Sequence, residues 1–184
     1  NPESPRVKQA PEAYVDVQNT ASLLMRMELA GFEVGERWSG LVPLAESRLE
    51  DHTSPFTSIH ALIILAKSGM LEKARTMIGN MLAFTDLDQG PIGNTYRQVV
   101  VPAAEAVLAF VEDQPKQVLE RLMPIRFLLY RMGGSHAQRD LFWQMMTRTA
   151  LQLEDRTLLG QLHSEIRDFG FSMMEQRRAY AGVF

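Results

Sequence analysis

Apolar residues recur at spacings of three and four along the chain from Tyr14 onward, the period of amphipathic helices rather than of strands. Val17, Ala21, Leu24 and Leu29 mark a first helix, which Gly31 ends in left-handed geometry. Val34, Trp38, Leu41, Ala45 and Leu49 mark a second, which Pro43 either kinks or starts late. Ser54-Pro55 reads as an N-cap followed by a first-turn proline. Behind it Phe56, Ile59, Leu62, Ile63 and Ala66 share one face as far as Gly69. Leu71, Ala74, Ile78, Met81 and Leu82 form the cleanest stripe, opposite Glu72, Lys73, Arg75 and Asn80. A turn-rich break over residues 86–93 follows. The pattern resumes over 96–111, with Pro102 inside it. It continues over 118–130, bent at Pro124 and closed by Gly133-Gly134, then over 141–153 and 159–169, with a further short helix expected over 172–184. Val99-Val100-Val101 alone has strand character, but the helical spacing around it outweighs that, and no hairpin signal appears. The expected class is all-α with about eight helices.

Helix pairs joined by short turns invite a search for repeats. In Gly69-Met70-Leu71-Glu72-Lys73-Ala74 a turn glycine precedes a small residue by five positions, and Ile78 follows four later. This is the turn-to-second-helix pattern of a tetratricopeptide hand: the small residue lets antiparallel helices approach and the large one fills the space beyond. The segment around Asp113, Val118 and Leu122 repeats the phase, and residues 155–160 repeat it more weakly. The equivalent positions Ala74, Val118 and Gly160 are 44 and 42 residues apart, against about 34 in the standard period. The expectation is a divergent right-handed α–α superhelix of stacked hairpins with a concave face. Residues 1–12, with three of the nine prolines, read as a flexible lead-in, and 13–184 as one helical-repeat domain.

Composition narrows the function classes. With 184 residues, 46% of them hydrophobic, the chain is long enough to bury a sizeable core. The absence of cysteine removes disulfide frameworks and cysteine-ligated zinc or iron–sulfur sites. A net charge of −3 gives no general footprint for nucleic acid, and no apolar run is long enough for a membrane span. Residues 1–92 carry 8 basic and 12 acidic side chains, −4, and the rest 11 and 10, +1. Arg outnumbers Lys 15 to 4, which fits helix-surface ion pairs or an Arg-lined groove for an acidic partner. The eleven methionines fit gap-filling between irregularly packed helices better than an adaptable peptide groove.

Three constellations bear chemistry. In Gly133-Gly134-Ser135-His136-Ala137-Gln138-Arg139-Asp140 the glycines and a Ser135/Gln138 capping box account for the turn, leaving His136, Arg139 and Asp140 without a structural duty. Asp51-His52 precedes the third helix, and His60 sits on an apolar face between Phe56 and Ile64. Glu36-Arg37-Trp38 opens the second helix, with Trp38 in the apolar stripe. A sharper reading gathers His52, His60 and His136 around one pocket with Asp51, for metal binding or acid–base work. Their spacing matches no zinc signature, and neither a phosphate loop nor a nucleophile motif is present, so no catalytic residue and no cofactor is assigned.

These segments together resemble the tetratricopeptide repeat protein 38 family. The likeness rests on residues 21–29 with Gly35-Glu36-Arg37-Trp38, on Asp51-His52 with Phe56 and His60, and on residues 134–142 (Gly-Ser-His-Ala-Gln-Arg-Asp-Leu-Phe). It implies a helical-repeat fold, no particular reaction, and a piece of a longer chain, as does the start at Asn1 without a methionine. The expected function is a cytoplasmic interaction scaffold. Its partner would be a protein or peptide, the missing N-terminal repeats of the same chain, or a second copy in a homodimer, and neither nucleic acid nor membrane. Candidate contacts are Glu36, Arg37, Asp51, His52, His60, Ser135, His136, Arg139 and Asp140. The other expectation is an enzyme or small-ligand protein with a histidine–carboxylate pocket.

Overall fold

A computed structural model describes residues 14–168, and these are helical with no strand. Eight helices run in order. Helix α1 is Tyr14–Leu29, and α2 begins as a 3-10 segment, Gly35–Leu41, and continues as Val42–Glu46. Helices α3 and α4 are Pro55–Lys67 and Leu71–Leu87. Helix α5 runs through Pro91–Thr95, a π turn at Tyr96–Val100, and Val101–Val111. Helices α6, α7 and α8 are Pro115–Leu122, His136–Gln152 and Arg156–Asp168. The expected lead-in over 1–12, Gly170 and the short helix over 172–184 lie outside the described residues.

The helices pair as four hairpins, α1/α2 through α7/α8, and each hairpin packs on the next. Helix α1 also packs on α7, so the first hairpin meets the last. In a simple solenoid each repeat touches only its neighbours. One continuous core threads the stack, from Ala21 and Met25 through Ile59–Ala66 and Val99–Val107 to Leu141–Met146 and Leu162.

The turns explain why the hairpins form. After α3 the Gly69 N–H bonds the Ala66 carbonyl at 3.1 Å and the Met70 N–H bonds Leu65 at 2.9 Å, the paired bonds of a Schellman end with its C′ residue left-handed. The same two bonds recur after α5, around Asp113, and after α7, around Glu154, both at positive φ. Five residues beyond these turn positions lie Ala74, Val118 and Leu159, all buried. The structure therefore shifts the third phase by one: Gly160, the position chosen from sequence, is exposed, and its Cβ direction is open.

Other departures have local causes. The stripe of α4 buries Met77 and leaves Leu82 exposed. The second helix is 3-10 up to Leu41, and Pro43 falls in the first turn of its α part, where a missing N–H is harmless. The break over 86–93 shrinks to three residues because the Asp88 carboxylate accepts the N–H groups of Gly90 (2.7 Å) and Gly93 (3.1 Å), stitching α4 to α5. Pro102 is absorbed without breaking α5: the wide turn before it, in which the Val101 N–H reaches the Tyr96 carbonyl, relieves the usual helical register. The helix expected over 118–130 ends at Leu122. Short 3-10 turns at Met123–Ile125 and Leu129–Met132 carry the chain to Gly133.

Candidate functional site

The α1, α3 and α7 N-terminal turns converge, and two of the singled-out segments meet there. The ring of Phe56, in the first turn of α3, lies where a side chain on Gly134 would have to go: a Cβ there would sit 2.2 Å from its Cε2. Only glycine fits, and φ at Gly134 is +78°. On its other side Phe56 packs on the His60 ring, centroids 4.3 Å apart. Gln138 of α7 donates to Asn19 of α1 (2.8 Å), and Gln18 of α1 donates to the Thr57 hydroxyl of α3 (2.7 Å). Nothing in the spacing of Gln18, Asn19 or Thr57 marked them, because they act through partners far away in sequence.

Beside this junction, between α1, α2 and α3, lies a cavity of about 270 Å³. Val17, Leu44, Ala45, Ala61 and Ile64 form its apolar wall, and His60 closes one side. His60 is 1% exposed. Its Nδ1 is 2.8 Å from the Phe56 carbonyl oxygen, which can only accept, so Nδ1 carries the proton and Nε2 the lone pair. Nε2 is buried and meets no hydrogen-bond partner among the described residues. Burial pushes the imidazole pKa down to about 4, so the ring is neutral at physiological pH.

His52 belongs to a different place. Its ring packs on Phe84 (4.9 Å) and edge-on against Tyr96 (5.6 Å), and it lines an open depression of about 360 Å³ with Glu50, Thr53, Phe84 and Ile92. Burial lowers its pKa, opposed by the charges of Asp51 and Glu50. Beneath it the Tyr96 hydroxyl is 2.5 Å from the Ser58 hydroxyl, which donates to the Asp51 carbonyl at 2.9 Å. Burial raises the Tyr96 pKa to about 12. His136 opens α7 on the exposed surface. His60 and His52 line different depressions, and among the described residues no group of three His, Cys, Asp or Glu side chains is placed to hold a metal ion.

Most other candidates serve the chain itself. Ser135 and Gln138 form the capping box. Arg139 donates to the Gly134 carbonyl, which fixes the glycine turn from behind. Asp140 is buried and accepts from Gln144 at 2.7 Å. Asp51 accepts from Thr53 and pairs with Arg48 at 2.7 Å; the Thr53 hydroxyl first, with Arg48 behind it, holds its carboxyl below the usual range. Arg37 donates to the Val34 carbonyl (2.7 Å), and Glu36 is exposed beside it. Trp38 is buried and donates to Glu28 (2.9 Å), which Lys67 pairs at 2.6 Å, fastening α2 and α3 to α1. The arginines follow the surface-pairing reading: Arg126 makes a two-pronged bond with Glu165, Arg121 meets Glu105, and Arg75 meets Glu72 and Glu112.

No family model matches the chain, and no solved structure matches it. None of the described helices is long and apolar enough to cross a membrane.

Proposed function

We propose that the chain is a divergent tetratricopeptide-like repeat module that holds a segment of another protein, and that the segment docks at the α4–α5 end. The observation that carries this reading is the depression beside His52, where Phe84 and Ile92 form an apolar floor open to solvent. Leu87, one turn beyond Phe84 on α4, is 86% exposed, an unusual position for a leucine at a turn. Glu50 and Asp86 are exposed nearby in sequence, and residues 1–92 carry the chain's negative balance. An apolar anchor flanked by lysine or arginine is the complementary ligand. The recurring hairpin turns at Gly69, Asp113 and Glu154 and the packing of each hairpin on the next support the repeat reading. The resemblance to the tetratricopeptide repeat protein 38 family gains support from Phe56 and Gly134, which lie in two of the segments that carry it and pack together. A site at this depression works by binding, with no reaction attached.

The test is selection from a random peptide library displayed on phage, followed by affinity measurement of the selected peptides. The expected result is enrichment of sequences with an apolar residue beside Lys or Arg, and at least about tenfold weaker binding to Leu87→Glu and Ile92→Glu. Peptides that bind both variants unchanged, or no enrichment, contradict the reading.

A further inference from the structure

The cavity between α1, α2 and α3 shares no lining residue with the α4–α5 depression, and its wall is as polar as it is apolar. Two of its polar side chains, Gln18 at 6% and Thr57 at 8% exposed, are more than nine-tenths buried. Gln18 Nε2 donates to the Thr57 hydroxyl oxygen at 2.7 Å, and that bond leaves half of each group's capacity unused. Gln18 Oε1 accepts from none of the described residues, and unlike His60 Nε2 it is not sealed off. The Thr57 hydroxyl proton is given to none of them. The cavity is therefore lined by an acceptor and a donor side by side, each without a match and held in register by the bond between their side chains. A buried polar group without its partner is costly. One water molecule can join the two, but it takes roughly 30 Å³ of a cavity of about 270 Å³. Further waters would face Val17, Leu44, Ala45, Ala61 and Ile64, which offer them no partner.

We propose that this cavity binds a small neutral carboxamide with an apolar ring, its N–H on Gln18 Oε1 and its carbonyl oxygen on the Thr57 hydroxyl. Three features define that class. A carboxamide carries a donor and an acceptor side by side in one plane, the complement of the pair on the wall. The apolar residues opposite take the ring, and the volume exceeds the roughly 150 Å³ known to hold one benzene. Arg48 is the one charged side chain at the wall and Asp51 meets it at 2.7 Å, so a carboxylate gains little there and brings no donor for Gln18. The Gln18–Thr57 bond orients both groups before any ligand arrives.

The test compares benzamide with acetophenone, which has a methyl group in place of the amide nitrogen, and with benzoate, on the whole protein. Calorimetry reads affinity, and the side-chain amide resonances of Gln18 report the contact. The expected result is saturable binding of benzamide that moves those resonances, and at least about tenfold weaker binding of acetophenone and of benzoate. Thr57→Val, which keeps the shape and removes the hydroxyl, is expected to weaken benzamide by a similar factor. No saturable benzamide binding, acetophenone or benzoate bound as tightly, or binding that leaves the Gln18 amide unmoved overturns the proposal, as does unchanged affinity in folded Thr57→Val. The unaltered protein decides even if the variant fails to fold. The outcome is independent of the peptide selection, which reads a different set of residues.

Discussion

The turn at Gly69 and the turn at Gly134 are both glycine turns at positive φ, and they work in opposite ways. Around Gly69 the Cβ direction is empty, and the same Schellman geometry is made by Asp113 and by Glu154 in the later hairpins. That turn is a local solution which the chain reaches four times, at Gly31, Gly69, Asp113 and Glu154, with three residue types. Gly134 faces the Phe56 ring, and no other residue fits without moving it. The hairpin stack is generic, and the junction of α1, α3 and α7 is particular. The chemically distinctive group, the neutral His60 with its buried Nε2 lone pair, belongs to the particular half.

The sharpest way to break this contrast is to place alanine at both glycines. At Gly134 the left-handed backbone and the clash with Phe56 act together, and a loss of about 4 kcal/mol in denaturant unfolding is expected. At Gly69 only the backbone preference is lost, about 1–2 kcal/mol. Equal losses contradict the distinction.

Acid titration probes the junction next. The His60 pKa is about 4 when folded and near 6.5 when unfolded, so between those values the unfolded chain binds more protons and stability falls as the pH drops. The full effect is about 3 kcal/mol, present above pH 6.5 and lost by pH 4. His52, also lowered, adds a slope of the same sign, so His60→Phe is expected to flatten most of this window and leave a remainder. Asp51 and Glu165 are held low by the Thr53 hydroxyl and by Arg126, and their contributions disappear at still lower pH.

The smallest expected effect is a gain. Glu154 is exposed at φ 55°, a conformation glycine adopts freely, so Glu154→Gly is expected to raise stability by about 1 kcal/mol in the same assay. Asp113→Gly is expected to gain less, because the Asp113 carboxylate accepts from Gln152 at 2.6 Å and that bond is lost. A loss at Glu154 contradicts the account of the turns as interchangeable.

The same contrast governs what could be read from sequence. Helices, caps and turns are local, so the apolar stripes, the Ser54 and Ser135 caps and the ends at Gly31 and Gly69 were legible. The third repeat was misplaced by one residue because Glu154, an unlikely left-handed residue by type, holds the turn. The helix through Pro124 was overextended, since periodicity alone does not show where a chain must turn toward its next partner. For the candidate site, Ser135, Arg139, Asp140 and Asp51 drew notice by residue type, yet their partners are local or internal. Gln18, Thr57 and Tyr96 matter through contacts 38 or more residues away, which no spacing rule registers. His60 stood out by type, but its unmet acceptor and the cavity beside it depend on helices α1 and α2 packing where they do.

The central claim is that the junction holds His60 neutral, protonated on Nδ1 and accepting at Nε2. A nitrogen-detected NMR titration of the histidine rings from pH 8 to 4 tests it most directly. The account predicts the Nδ1–H form of His60 unchanged down to about pH 5, with protonation only near pH 4. A His60 that titrates near pH 6.5 in the folded protein, or that carries its proton on Nε2, contradicts it.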